Sequence, residues 1–195
     1  RAQIDPQELH GALVESRQQC ERAAAIITRI RQFVRAREPR MAAVSLHDVC
    51  TTVLGTLDAE IKLHQVQVQM LVAADLPPVQ ADRVMLEQVV HNLAKNAIDA
   101  MRTQKPPRRL VLCAALGRDG LVETSVQDSG PGVAEDARSH LFSPFFTTKA
   151  DGLGIGLNIC RSMIEFHGGS LYYDHPAAGG SRFAFTVPVC TPGGS

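Results

Sequence analysis

No Cys-x-x-Cys pair occurs in this chain. Its five cysteines, Cys20, Cys50, Cys113, Cys160 and Cys190, are odd in number and lie at least 30 residues apart. That spacing excludes a disulfide framework and a zinc finger and reads as reduced, buried thiols of a cytoplasmic protein. No stretch approaches the ~20 apolar residues of a membrane-spanning helix, so no membrane contact is expected. Neither sign of charge prevails: 20 Lys and Arg balance 20 Asp and Glu, which argues against a nucleic-acid partner gripped through its phosphates. Internal repeats and low-complexity segments are absent. Arg1 stands where an initiating methionine would, with no charged and apolar leader behind it, so the chain is expected to be a piece of something longer.

What remains is an ordinary globular composition, 195 residues with 45% hydrophobic and 21% charged, enough for one main domain and an appendage. The appendage comes first. Leu9, Leu13, Ser16, Cys20, Ala23, Ile27, Ile30 and Val34 recur at alternating steps of four and three, which predicts a long helix over 6–37 with a coiled-coil stripe. It ends at Glu38-Pro39, because the residue before proline is pushed out of helical geometry. Beyond it the pattern turns mixed. A short strand is expected near 43–46, a helix over 47–64, and a half-buried strand where Val66, Val68 and Met70 alternate with glutamines. Pro77-Pro78 reads as a turn. Asp82 is placed to cap a helix running to about 103 whose core stripe is Leu86, Val89, Val90, Leu93, Ala97 and Met101. Strands follow over 109–116 and 121–127, joined at Gly117-Arg-Asp-Gly120. A glycine-rich loop over 128–154 leads to a helix near 155–166, then strands near 170–173 and 182–187 and a frayed tail.

Three short blocks carry the chemistry. Asn92 and Asn96 are four apart and share one face of their helix, on the shoulder of the core stripe. Their amide oxygens are hard neutral donors of the kind Mg²⁺ accepts alongside nucleotide phosphates and water. Asp128 closes a strand ahead of Ser-Gly-Pro-Gly132, where glycines let backbone approach a flat ligand and the carboxylate can accept from an exocyclic amine such as that of adenine. Gly152-x-Gly154-x-Gly156 opens a helix, offering free N–H groups and the positive helix end to a phosphate. It fits neither the P-loop nor the dinucleotide-binding pattern. Each block alone reads more readily as a polar helix shoulder, a turn or a glycine loop; their order and spacing together raise the specificity.

In that order the blocks resemble the ATP-binding catalytic domain of sensor histidine kinases, in the GHKL superfamily shared with gyrase and MutL. Asn92 to Asn96 resembles the N box and Asp128 to Gly132 the G1 box. Leu141-Phe-Ser-Pro-Phe-Phe-Thr-Thr-Lys149 resembles the F box, and Gly152 to Leu157 the G2 box, followed by Ile164-Glu-Phe-His-Gly-Gly169. The short Thr147-Thr148-Lys149 stretch is similar to the nitrogen-fixation and dicarboxylate-sensing kinases. The resemblance implies a Bergerat-type two-layer α/β sandwich over 40–190, preceded over 1–39 by the second helix of a dimerisation and phosphotransfer region and followed by a tail at 191–195. It implies ATP and Mg²⁺ as cofactors. Asn96 would hold the metal, Asn92 would assist at the phosphates, and Asp128 would read the adenine amine. Gly130 and Gly132 would shape the base pocket. Thr147, Thr148, Gly152, Gly154, Gly156 and Leu157 would belong to a lid over the phosphates, with Lys149 neutralising their charge. Phe142, Phe145 and Phe146 are expected to be core that anchors this lid. The implied partners are the phosphoacceptor-histidine helix, a response-regulator receiver domain, and a second copy in the full-length protein.

Two positions depart from the family pattern. Many relatives carry lysine where Asp99 stands, so the cationic phosphate contact is assigned to Lys149 rather than to Lys95, which the helical wheel turns toward solvent. None of His10, His47, His64, His91, His140, His167 and His175 fits the phosphoacceptor box; surface or capping roles are expected. The accepting histidine would therefore lie outside the chain. An alternative reading is a nucleotide-responsive interaction module without kinase activity. A hydrolysing GHKL ATPase would need an acidic base where Asn92 stands.

Overall fold

The computed structural model describes residues 9–14, 16–17, 39–117, 119–149, 153–177 and 179–190. Residues 9–14 and 16–17 are helical, with Leu9 and Leu13 exposed; the rest of the expected coiled-coil helix and the tail lie outside the described residues.

The centre of the molecule is α3 (Arg83–Met101), as its amphipathic stripe predicts. Asp82 caps it, its side chain accepting from the Met85 N–H. Leu86, Val89, Val90, Leu93, Ala97 and Met101 are all buried. They lie over a five-stranded sheet of order β2 (Val66–Val72), β4 (Arg108–Leu116), β5 (Leu121–Asp128), β7 (Ser181–Pro188), β6 (Leu171–Asp174). β2 runs parallel to β4, a pairing that needs a long crossover, and α3 supplies it. The remaining pairs are antiparallel. Leu110, Leu112, Val122, Val126, Phe183, Phe185 and Val187 alternate onto the covered face. On the opposite face Arg182 bridges Asp174 and Glu123. α3 packs on β4 and β5 and is flanked by α1 (Leu46–Thr56) and α5 (Gly156–Phe166). This is a two-layer α/β sandwich with its helices on one side of a mixed sheet.

Three local expectations are corrected. The helix expected over 47–64 breaks at Leu57 into α1 and α2 (Asp58–Leu63). Leu57 is 2% exposed, and the Thr56 hydroxyl bonds the Val53 carbonyl, so the chain turns to bury one leucine rather than continue straight. The segment after Pro77-Pro78 is a strand as well as a turn: β3 (Val79–Ala81) pairs with β1 (Ala42–Val44). The loop over 128–154 contains a short helix, α4 (Glu135–Arg138). Among the cysteines, Cys50 and Cys160 are buried while Cys113 and Cys190 are half-buried, all four free.

Candidate functional site

Successive turns of α3 each meet one of the sequence blocks. Asn92 donates from Nδ2 to the Gly156 carbonyl and to Cys160 Sγ, both at 3.4 Å, so it faces the first turns of α5. One turn on, Asn96 Oδ1 accepts from Lys149 Nζ at 2.9 Å. A further turn on, Ala100 backs the turn after Asp128: a Cβ placed on Gly130 would lie 3.4 Å from Ala100 Cβ. Positions 92, 96 and 100 span about 12 Å of helix.

Asp128 ends β5 as expected and is 4% exposed. Its Oδ1 accepts from the Gly130 N–H at 2.7 Å. Burial raises its carboxyl above the ordinary value, against the opposing pull of the Gly130 and Ser181 backbone N–H groups. A Cβ on Gly130 would come 2.8 Å from that Oδ1, so glycine keeps the approach open. Gly132 has φ +78° and faces the Gly180 carbonyl and the His175 ring.

The glycines of the third block separate. Gly152 lies outside the described residues. Gly154 has φ +66°, and a Cβ there would meet Phe145 and Phe146 backbone at 2.4–2.6 Å. Gly156 would meet only Asn92, at an ordinary 3.5 Å. Thr147 Oγ1 accepts from the Lys149 N–H, Thr148 is exposed, and Leu157 packs against the core. Phe142 also packs against the core and Phe146 against His140. Phe145, however, is 65% exposed at φ +65°, so the expectation of a core role fails for it.

Lys95 does not project freely into solvent. It bridges Glu60 on α2 and Asp99 on its own helix, while Asp99 also receives Lys149 at 3.1 Å. Desolvation would raise the Asp99 carboxyl, but the bonds and charges of Lys149 and Lys95 outweigh it and hold it below the ordinary value.

Sequence reasoning missed several contributors. Cys160 sits under Asn92, its thiol pushed up to about 12 by burial and hence inert. Asn158 Nδ2 bonds the Phe142 carbonyl and ties α5 to the segment ahead of Lys149. Gly180, where a Cβ would fall 1.9 Å from the Asp128 carbonyl oxygen, permits β7 to close on the Asp128 turn. Only the Gly179-Gly180 pair before a strand hinted at it. A cavity of about 580 Å³ beside β6, reaching from Arg138 and Arg161 to His175, contains none of the three sequence blocks' polar side chains.

The residues fit a nucleotide and a hard cation. A buried carboxylate that accepts from the Gly130 N–H keeps further lone pairs for an amine, and Asn96 Oδ1 already meets a positive charge. No helix among the described residues is long and apolar enough to cross a membrane.

Known proteins resemble this chain over most of its length. The C4-dicarboxylate transport sensor protein DctS of Rhodobacter capsulatus is 40% identical over 88% of this chain and 26% of its own length. The sensor protein FixL of Bradyrhizobium diazoefficiens is 39% identical over 93% of this chain and 36% of its own. The chain thus spans about a third or less of these curated relatives. The solved catalytic domain of histidine kinase ThkA, nucleotide free, superposes with TM-score 0.68 at 32% identity, over 77% of this chain and 96% of that one. ThkA in complex with the response regulator protein TrrA superposes with TM-score 0.72 at 27% identity, over 96% of this chain and 53% of that one. The family model of histidine kinase-, DNA gyrase B- and HSP90-like ATPases matches residues 81–191, more than half of the chain, which therefore belongs to that family.

Proposed function

We propose that this chain is the ATP-binding and catalytic part of a two-component sensor histidine kinase. It transfers the γ-phosphoryl of Mg-ATP to a histidine outside these residues, for relay to a response-regulator receiver domain. The observation that supports this reading best is the strip along α3, where residues 92, 96 and 100 meet Gly156, Lys149 and the Gly130 turn in succession. A phosphate end, a metal end and an adenine end follow one another along a single rigid helix.

In this reading Asp128, shaped by Gly130 and Gly132, accepts from the adenine amine. Asn96 holds the Mg²⁺, which neutralises phosphate charge when bound. Asn92, Thr147, Thr148, Gly152, Gly154, Gly156 and Leu157 position the phosphates, and Lys149 supplies a positive charge. Phosphoryl transfer asks a protein mainly for positioning and charge neutralisation, which amides, glycines and one lysine provide. Asparagine at position 92 cannot take a proton from water, which favours transfer over hydrolysis. Residues 1–39 would be the second helix of the dimerisation region, 40–190 the catalytic domain and 191–195 a tail. The whole protein would act as a cytoplasm-facing homodimer.

Calorimetric titration of ADP and ATP, with and without Mg²⁺, tests the pocket on the native chain and on Asp128→Ala. Loss of one bond to a buried carboxylate, worth ~1.5–3 kcal/mol, predicts roughly ten- to hundredfold weaker binding. Equal affinity of both proteins would refute the adenine assignment. Labelled histidine should appear on a separate helix fragment only when acceptor and Mg-ATP are both present; rapid steady-state hydrolysis without acceptor would favour the ATPase reading.

A further inference from the structure

Lys149 occupies a place that α3 builds for a cation. Its Nζ lies 2.9 Å from Asn96 Oδ1 and 3.1 Å from Asp99 Oδ2. These two residues are three apart on one helix, so their oxygens share a face and converge on one point. The other Asp99 oxygen is held at 3.2 Å by Lys95, whose ammonium is itself anchored to Glu60. The carboxylate is thus oriented from behind and is not merely drawn toward Lys149. A neutral amide oxygen beside a carboxylate oxygen is a hard donor pair, which suits Mg²⁺ as well as it suits an ammonium.

Resting on the nucleotide reading above, we propose that Asn96 and Asp99 form one two-oxygen cation seat for which Lys149 and the nucleotide's divalent cation compete, with Asp99 positioning whichever cation holds it. Arrival of the metal frees the lysine, whose charge then becomes available to the phosphates. Asp99 then has a definite part: it holds Lys149 until the divalent cation takes the seat.

The experiment is a Mn²⁺ titration read by electron paramagnetic resonance, at ADP concentrations set to saturate each protein. Native chain, Lys149→Met, Asp99→Asn and the double variant are compared. An exposed pair contributes ~0.2–1 kcal/mol, so removing the competitor tightens Mn²⁺ binding up to about fivefold in Lys149→Met. Asp99→Asn weakens Mn²⁺ binding by a similar factor, and in the double variant the gain from losing the lysine shrinks. Unchanged or weaker Mn²⁺ binding in Lys149→Met overturns the competition. Unchanged Mn²⁺ binding in Asp99→Asn overturns the shared seat. Urea unfolding run beside these shows that each variant keeps a cooperative fold before its Mn²⁺ affinity is compared. Failure of the native chain to bind ADP at all would instead sink the nucleotide reading.

Discussion

Gly154→Ala and Gly156→Ala should behave in opposite ways, although the sequence gives the two glycines the same standing. At Gly154 the backbone is left-handed, φ +66°, which costs an L-residue about 1–2 kcal/mol. Its new methyl would also stand 2.4 Å from Phe145 C and 2.6 Å from Phe146 N and O. These are backbone atoms that cannot rotate aside, and overpacking of this kind adds about 1–3 kcal/mol. The contact joins two short segments at the edge of the fold, so the molecule can relieve the strain by local undocking, and global stability falls little. Nucleotide binding to the docked arrangement bears the cost: a minimum of about 2 kcal/mol is about thirtyfold in affinity. At Gly156 the methyl makes an ordinary 3.5 Å contact with Asn92 at the first residue of α5, and alanine there is neutral or slightly stabilising. Calorimetric titration of Mg-ADP together with urea unfolding measures both quantities. Affinity of Gly154→Ala within twofold of native, with the fold intact, would refute the argument that this close approach organises the site.

Asp82→Ala removes the acceptor for the Met85 and Arg40 N–H groups and should cost about 1–2 kcal/mol in urea unfolding, whereas Asp82→Asn should retain most of it. Asp128 has its folded carboxyl raised above the reference value of 3.8, first by burial. Its contribution to stability is therefore fully present below that value and is lost as pH rises through the folded one. Asp128→Asn should accordingly gain stability over the native chain as pH rises through this window, then hold a constant advantage, while losing ADP affinity. A native-minus-variant difference that is flat with pH would contradict the assignment. Asp99 has the opposite sign: its pairing with Lys149 and Lys95 stabilises at neutral pH and is lost as pH falls through the depressed folded value.

How much of this could be read beforehand depends on whether each feature is local. α3 was legible because 19 residues carry a continuous stripe behind an aspartate cap, and Asp128 because alternation in β5 runs up to it. β3 was not, since three residues after two prolines acquire strand character only by pairing with β1, about forty positions earlier. The break at Leu57 reflects burial against other elements, not the helix's own pattern. In the site, the types and spacing of Asn92, Asn96 and Asp128 were visible. The contacts of Lys149 with Asn96 and Asp99 were not, because a pair some fifty residues apart has no periodicity to reveal it. Phe145 was misjudged for a related reason: hydrophobicity predicts burial on average, but a backbone held at φ +65° turns this ring outward.

His167 decides how the walls of the site are joined. Of the surface or capping role expected from sequence, the capping one holds: His167 is the C-cap of α5, buried at 3% exposure, with Nδ1 2.6 Å from the Met163 carbonyl and Nε2 accepting from the Asp82 N–H at 3.0 Å. One ring thus ties the end of α5 to the start of α3. The turn behind it is equally tight, since a Cβ on Gly169 would fall 1.7 Å from the Thr186 carbonyl oxygen. With both helices tied at this end, a ligand between them is accommodated in the chain around Phe145 to Lys149 more readily than by spreading α3 from α5. Hydrogen exchange should therefore show α3 and α5 amides equally protected with and without ADP, with the change concentrated at residues 143–149. His167→Leu leaves the Asp82 N–H and Met163 carbonyl unpaired, and each loss costs about 1–3 kcal/mol. In that variant the α3 and α5 amides should exchange faster and become sensitive to ADP. If they remain protected and indifferent to nucleotide, the histidine is a local cap and not the tie between the two walls.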